Sequence, residues 1–270
     1  MSGTLKSKCI GSVGVGVMGQ AIIKSLLSKA ATADQICITD KVLEKAEEVS
    51  SNLKVSIKSI SDIGQKCEVI LLAVKPQDLA KVLSELKTSI KPDSLVISIA
   101  AGKTIKFIEE HLASKNPVIR VMPNTPALIG KGVSAIAAGT YANEEHLKIA
   151  NEIFASTGLV IQIPEDKLNA VTALSGSGPA YFFNFIEAMV NAGVELGLTK
   201  EIATTLAIET ISGSAAMLKE SGLDAATLRT NVTSPNGTTA AALQVFSENS
   251  FENIILKAMN AAEKRAQELA

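Results

Sequence analysis

Tryptophan is absent from this chain of 270 residues, histidine occurs twice and cysteine three times, and aromatic residues make up 3% of it. With so few rings there is little on which bases could stack, and 26 basic residues are balanced by 27 acidic ones for a net charge of −1. Nothing in that balance attracts nucleic acid. No apolar stretch reaches the length of a membrane span. The opening MSGTLKSK runs straight into a strand-like segment and leaves no room for a signal or transit peptide, so a cytoplasmic setting is expected. His111 and His146 lie in polar helical stretches and read as surface residues. No Ser-His-Asp order, paired carboxylates or metal-ligand cluster stands out. Cys9, Cys37 and Cys67 each sit inside or beside an apolar run and read as buried reduced thiols, not as disulfides or a metal site.

What is present suits a globular enzyme: 47% hydrophobic and 20% charged residues, over a length that makes two domains the prior. The first half alternates strand and helix. Lys8 to Val13, Ile36 to Thr39, Val69 to Val74, Leu95 to Ile99, Val118 to Met122 and Val133 to Ala138 are short apolar runs of the kind found in buried parallel strands. Helical spacing fills Gly16 to Ala30, Asp78 to Ser89 and Asn143 to Ser156 between them. Such a repeat is an α/β, Rossmann-like doubly wound domain. After Leu159 to Ile163 the strand signal stops and helices follow one another, which puts a boundary near Pro164. The expected domains are therefore residues 1–163, binding a dinucleotide, and 164–270, all-helical.

The dinucleotide reading rests on Gly14, Gly16 and Gly19 in Gly14-Val15-Gly16-Val17-Met18-Gly19. This G-x-G-x-x-G follows a strand and opens a helix, as the mechanism requires. The first Gly makes the turn, the second admits the pyrophosphate and the third lets helix pack on strand. Asp40, at the end of the second strand, is placed to accept hydrogen bonds from an adenosine ribose, which favours NADH. Lys41 beside it would attract a 2′-phosphate, which favours NADPH. Three further loops follow strand ends, where open sheets bind ligands: Ala73-Val74-Lys75-Pro76-Gln77, Ala100-Ala101-Gly102 and Met122-Pro123-Asn124-Thr125-Pro126. Asn124 offers donor and acceptor groups suited to a carboxamide.

Two motifs mark the second half. Val171-Thr172-Ala173-Leu174-Ser175-Gly176-Ser177-Gly178-Pro179-Ala180-Tyr181 is a Gly-rich helix entry. Val232-Thr233-Ser234-Pro235-Asn236-Gly237-Thr238-Thr239 is a tight turn before an Ala-rich helix, with either threonine available as its N-cap. A helix start with free N–H groups, two hydroxyls and a permissive Gly is a small anion site fit for a carboxylate. The helices from Tyr181 to Leu196 and Ala203 to Leu218 are apolar around much of their circumference, more than one small domain can bury.

These segments together resemble the pyrroline-5-carboxylate reductases, whose signature runs V-T/S-S-P-G-G-x-T before a C-terminal helix and whose VTxLSGSGPAY stretch enters the helical domain. The departures are Val17, Asp40 and Asn236. The resemblance implies hydride transfer from NADPH or NADH to the C=N carbon of 1-pyrroline-5-carboxylate, giving proline. It implies that Gly14, Gly16, Val17, Met18, Gly19, Asp40, Lys41, Ala73, Val74, Lys75, Pro76, Ala100, Ala101, Gly102 and Asn124 hold the cofactor. Ser234, Asn236, Gly237, Thr238 and Thr239 would hold the substrate, with Ser234 and Thr239 closest to the chemistry. It implies a homodimer through the C-terminal helices, with higher homo-oligomers open, and no metal. Two alternatives stay in view: a non-catalytic NAD(P)-sensing protein, and a β-hydroxyacid dehydrogenase-like enzyme. The latter would need a lysine in the helix that here carries Gly193, Glu195 and Gly197.

Overall fold

Residues 4–112 and 114–269 are described by the computed structural model. In the first part, Ile10–Val13 (β1), Ile36–Thr39 (β2), Ser56–Ile57 (β3), Val69–Leu72 (β4), Leu95–Ser98 (β5), Val118–Met122 (β6), Gly132–Ala138 (β7) and Gly158–Gln162 (β8) form one sheet in the order β3-β2-β1-β4-β5-β6-β7-β8. Every pairing is parallel except β6 with β7. The helices between are Val17–Lys29 (α1), Leu43–Leu53 (α2), Ile60–Lys66 (α3), Leu79–Leu86 (α4), Ile105–Leu112 (α5) and Glu144–Ala155 (α6).

The central strands β1, β4 and β5 are buried at every position because both faces are covered. On one face, Ile10, Ile36, Val69, Leu71, Leu95 and Ile97 pack with Ile22 and Leu26 of α1, Val49 of α2 and Phe154 of α6. On the other, Val13, Ile70, Leu72 and Val96 pack with Ile63 of α3, Leu83 of α4 and Ile108 of α5. Each such side chain contributes about 1.5 to 3 kcal/mol by leaving water, so this double core dominates the stability of the unit. The Rossmann-like reading therefore stands. The two-residue β3, exposed at the sheet edge, carries too little alternation to be seen in the sequence.

The later helices are Leu168–Val171 (α7), Gly178–Glu195 (α8), Lys200–Glu220 (α9), Ala225–Asn231 (α10), Thr238–Glu248 (α11) and Phe251–Glu268 (α12). The compact units divide after Ser177, and residues from Ala262 onward belong to the first unit. The reason lies in packing: Leu168 is fully buried in the core beside α4 and α5, and Val171 packs against it. A π-helical turn over Thr172–Gly176 then ends the first unit. In the second unit α8 crosses α9 closely at Gly193, where a Cβ would stand 3.1 Å from that of Ala203. Its buried apolar cluster is small, Val190, Ala203 and Ala207 with Ile186 against them. Among the described residues, no helix is long and apolar enough to cross a membrane.

Candidate functional site

Strand order reverses between β1 and β4, and at their C-terminal ends the chain leaves a cleft of about 460 Å³. Open α/β sheets bind ligands at such a switch point. Gly14 turns the chain there at φ +98°, and a Cβ on it would stand 2.5 Å from the Ala73 carbonyl oxygen. Gly19 meets the Gly14 carbonyl and Ala73 in the same way, at 2.8 and 3.2 Å. At Gly16 a Cβ would meet nothing within 4 Å. It would instead fill the cradle over the start of α1, whose N-cap is Gly16 and which has no side-chain cap. Uncapped N–H groups facing open space fit a pyrophosphate. Gly14 and Gly19 thus make the turn and the close packing of helix on strand that their spacing implied, and the space at Gly16 is left open.

The cleft is lined by Gly14, Gly16, Asp40, Lys41, Ala73, Val74 and Lys75, all expected from the sequence. Asp40 is fixed from both sides: the Val15 N–H donates to Oδ2 at 2.8 Å and the Val42 N–H to Oδ1 at 3.0 Å. Lys41 reaches across to Asp78, with Nζ 2.7 Å from Oδ2. Asp78 therefore partners the lysine that a 2′-phosphate would require. Lys45, Lys81 and Glu85 line the same cleft and were missed, as was Asp78. In the sequence they read as solvated helix charges, and only the fold turns them inward to one opening.

Other expected cofactor residues are placed differently. Val17 is 67% exposed, and its side chain borders a separate groove with Leu128 and Ile129. Met18 packs on the core, so α1 offers the cleft its backbone here and not its side chains. Pro76 begins a short 3-10 turn that leads into α4. Ala100 is buried, and Gly102, at φ +75°, lies under the backbone of Leu269, whose carbonyl oxygen a Cβ would approach to 2.6 Å. The freedom of Gly102 thus serves packing of the C-terminal segment. Asn124 has its amide engaged within the protein: Oδ1 accepts the Val133 N–H at 2.8 Å, and Nδ2 donates to Ser175 O and Oγ at 3.3 and 3.2 Å. It braces β7 and the π-helical turn. Neither histidine lines the cleft. His111 stacks on Phe107 and His146 belongs to the cap of α6.

In the second unit, Ser234-Pro235-Asn236-Gly237 is a hydrogen-bonded turn, the Gly237 N–H donating to Ser234 O at 3.0 Å. Asn236 has φ +58°. Asn is among the few non-Gly residues that take up this left-handed conformation readily, which accounts for its standing where the resembling family has Gly. Gly237 is needed because a Cβ would collide with Ser234 Oγ. It is also the N-cap of α11, without any side-chain cap, so neither Thr238 nor Thr239 caps the helix as the sequence suggested. Pro235 and Asn236 set the turn so that the helix starts one residue earlier. The first N–H groups of this 11-residue helix have no side-chain cap, and the Ser234 and Thr239 hydroxyls stand beside them in the chain.

Two family models match separate parts of the chain. Residues 165–269 match the family model for pyrroline-5-carboxylate reductase dimerisation, and residues 9–102 match that for coenzyme F420-dependent NADP oxidoreductases. The chain is 37% identical to the pyrroline-5-carboxylate reductase of Pseudomonas aeruginosa over 97% of its own length and 96% of that protein's. Among solved structures it superposes on a pyrroline-5-carboxylate reductase from Coxiella burnetii with a TM-score of 0.91 at 35% identity, covering 98% of this chain and 99% of that one. It also superposes on the Plasmodium falciparum pyrroline carboxylate reductase with NADP bound, with a TM-score of 0.87 at 32% identity, covering 97% and 98%. Identity at this level, sustained from end to end in both sequence and backbone, makes this chain a member of the pyrroline-5-carboxylate reductase family.

Proposed function

We propose that the protein reduces 1-pyrroline-5-carboxylate to L-proline, the closing step of proline biosynthesis. The observation that carries this reading is the uncapped start of α11 behind the Ser234–Gly237 turn, an anion site with two unspent hydroxyls. The substrate carboxylate is held by the N–H groups around Gly237 and Thr238 and by the Ser234 hydroxyl. Thr239 hydrogen-bonds the ring nitrogen. The reduced nicotinamide supplies the hydride. The cyclic imine enters already protonated on nitrogen, the hydride goes to the C=N carbon, and the C=N π pair becomes the amine lone pair. The protein therefore needs no strong acid or base, and its work is positioning and exclusion of water. That suits a loop with no titratable side chain between Val232 and Thr239.

In the cofactor cleft, Asp40 is locked by two backbone donors and Lys41 is partnered by Asp78, so the cleft favours the unphosphorylated ribose of NADH. A homodimer through the second unit belongs to the same reading, as does a cytoplasmic setting, where free cysteines stay reduced.

The test is oxidation of NADH and, separately, NADPH by the purified protein, with and without pyrroline-5-carboxylate. Substrate-dependent oxidation, faster with NADH, is expected. Cofactor binding with no turnover would leave the nucleotide-sensing reading standing in its place. Thr239→Val should lower kcat about 10- to 100-fold, the loss of one hydrogen bond to a charged group, while the Kd for cofactor is unchanged. Near-normal turnover would remove Thr239 from the chemistry.

A further inference from the structure

The three cysteines, far apart in the chain, meet in space. Cys9 leads into β1, Cys37 stands in β2, and Cys67 caps the C-terminus of α3 just before β4. Alternation along β1 puts Cys9 and Gly11 on one face, and the parallel register sets Gly11 against Cys37. Gly11 hollows that face: a Cβ there would collide with Ile63 Cγ2 and stand 3.0 Å from Cys67 Sγ. Into the gap drops the Cys67 sulfur, 3.2 Å from Cys9 Sγ and 3.3 Å from Cys37 Sγ. All three sulfurs lie within 4.8 Å of one another, and among the described residues this is the one group of its kind. Cys37 and Cys67 are buried, and Cys9, half-buried, is the least covered of the three.

We propose that Cys9, Cys37 and Cys67 form a three-sulfur site for a soft monovalent cation of the copper(I) class. Thiolate ligands select copper(I) or zinc. Structural zinc is almost always four-coordinate and tetrahedral, and the group holds no fourth Cys, His or carboxylate ligand atom. Copper(I), with a filled d shell, is satisfied by two or three sulfurs. Sulfurs about 2.3 Å from a central ion stand about 4 Å apart, so the triangle has only to open by less than about 1 Å. A disulfide would require two of the sulfurs to close to about 2.05 Å and would leave the third without a role. Each thiol that ligates gives its proton to solvent. Lys66, next to Cys67 in the chain, and Lys58, whose N–H is bonded to Ile38 O beside Cys37, bring positive charge to the resulting anionic centre, opposed by Glu68, whose carboxylate accepts the Cys9 N–H at 2.7 Å. The site lies at the N-terminal ends of β1 and β4, while the cofactor cleft lies at their C-terminal ends, so the ion would act as a clamp on the sheet and not as a reagent.

The experiment is an anaerobic titration of the full-length reduced protein with copper(I) buffered by bathocuproine disulfonate, followed by X-ray absorption of the loaded protein. One copper per chain, in a shell of sulfur alone, is expected. Cys9→Ser, at the half-buried position where folding is least at risk, should weaken binding by about 100-fold or more, and Cys67→Ala likewise. Failure of the wild type to draw copper from the chelator would overturn the proposal. So would equal uptake by Cys9→Ser, or a shell containing nitrogen or oxygen.

Discussion

At the scale of single residues, the nucleotide loop separates two kinds of glycine requirement. Gly14 is needed by the protein itself, because its φ of +98° and the Ala73 carbonyl leave no space for a Cβ. Gly16 meets no such barrier, because its Cβ would point into open space, and under the proposed function the need for it is the ligand's. Gly14→Ala should therefore lower the melting temperature and cofactor affinity together. Gly16→Ala should leave the melting temperature of the cofactor-free protein within a degree or so and still weaken cofactor binding about tenfold or more. Thermal melts with and without cofactor separate the two. The same distinction applies to Arg120, 6% exposed, whose Nη1 lies 3.1 Å from Glu165 Oε1. That oxygen also accepts the Ile105 N–H at 2.7 Å. Glu165→Ala would bury the guanidinium without its partner and should cost about 3 to 5 kcal/mol in a denaturant titration, whereas Arg120→Leu with Glu165→Leu should recover much of it.

At the scale of elements, α6 shows how a helix start can carry pH dependence. Asn143 Oδ1 accepts from the N–H groups of Glu145 and His146 at 3.0 and 3.1 Å, and His146 Nδ1 accepts from the Asn143 N–H at 3.1 Å. Partial burial holds the His146 pKa below its ordinary 6.5, with Lys8 adding to that and Glu145 opposing it. A proton on Nδ1 would also destroy the acceptor. Because the folded value lies below the unfolded one, the stabilisation is complete above pH 6.5 and is lost as the pH falls through the lowered value. His146→Gln keeps a capping-box acceptor without the titration and should flatten the acid side of a melting-temperature profile. An unchanged profile would place the acid sensitivity elsewhere.

For the whole molecule, the second unit poses the largest imbalance. It buries Val190, Ala203 and Ala207 in its own cluster, while Phe182, Phe183, Leu206 and Ile254 are each about half exposed or more, between 54% and 69%. Single chains rarely leave so much contiguous helix surface in water. Each large side chain returned to an apolar contact is worth about 1.5 to 3 kcal/mol, so a pairing of these faces would be tight. Sedimentation equilibrium should give at least twice the 28.2 kDa chain mass, with no monomer at micromolar concentration. Phe183→Glu should shift that mass downward.

Local rules make much of this protein legible in its sequence. The apolar runs of the central strands and the Gly14–Gly19 spacing need only neighbouring residues to be read, and so does the Ser234–Gly237 turn. The sheet, the phosphate cradle and the open helix start follow from them. What the chain order does not encode is which distant residues share a space. Asp78 meeting Lys41, Asn124 spending its amide on Val133 and Ser175, and Leu168 joining the first unit's core are outcomes of sheet register and helix docking. So is the convergence of Cys9, Cys37 and Cys67 over Gly11. Propensity and periodicity act over a few residues along the chain, whereas these contacts depend on side chains converging from separate elements, and only the tertiary structure decides them.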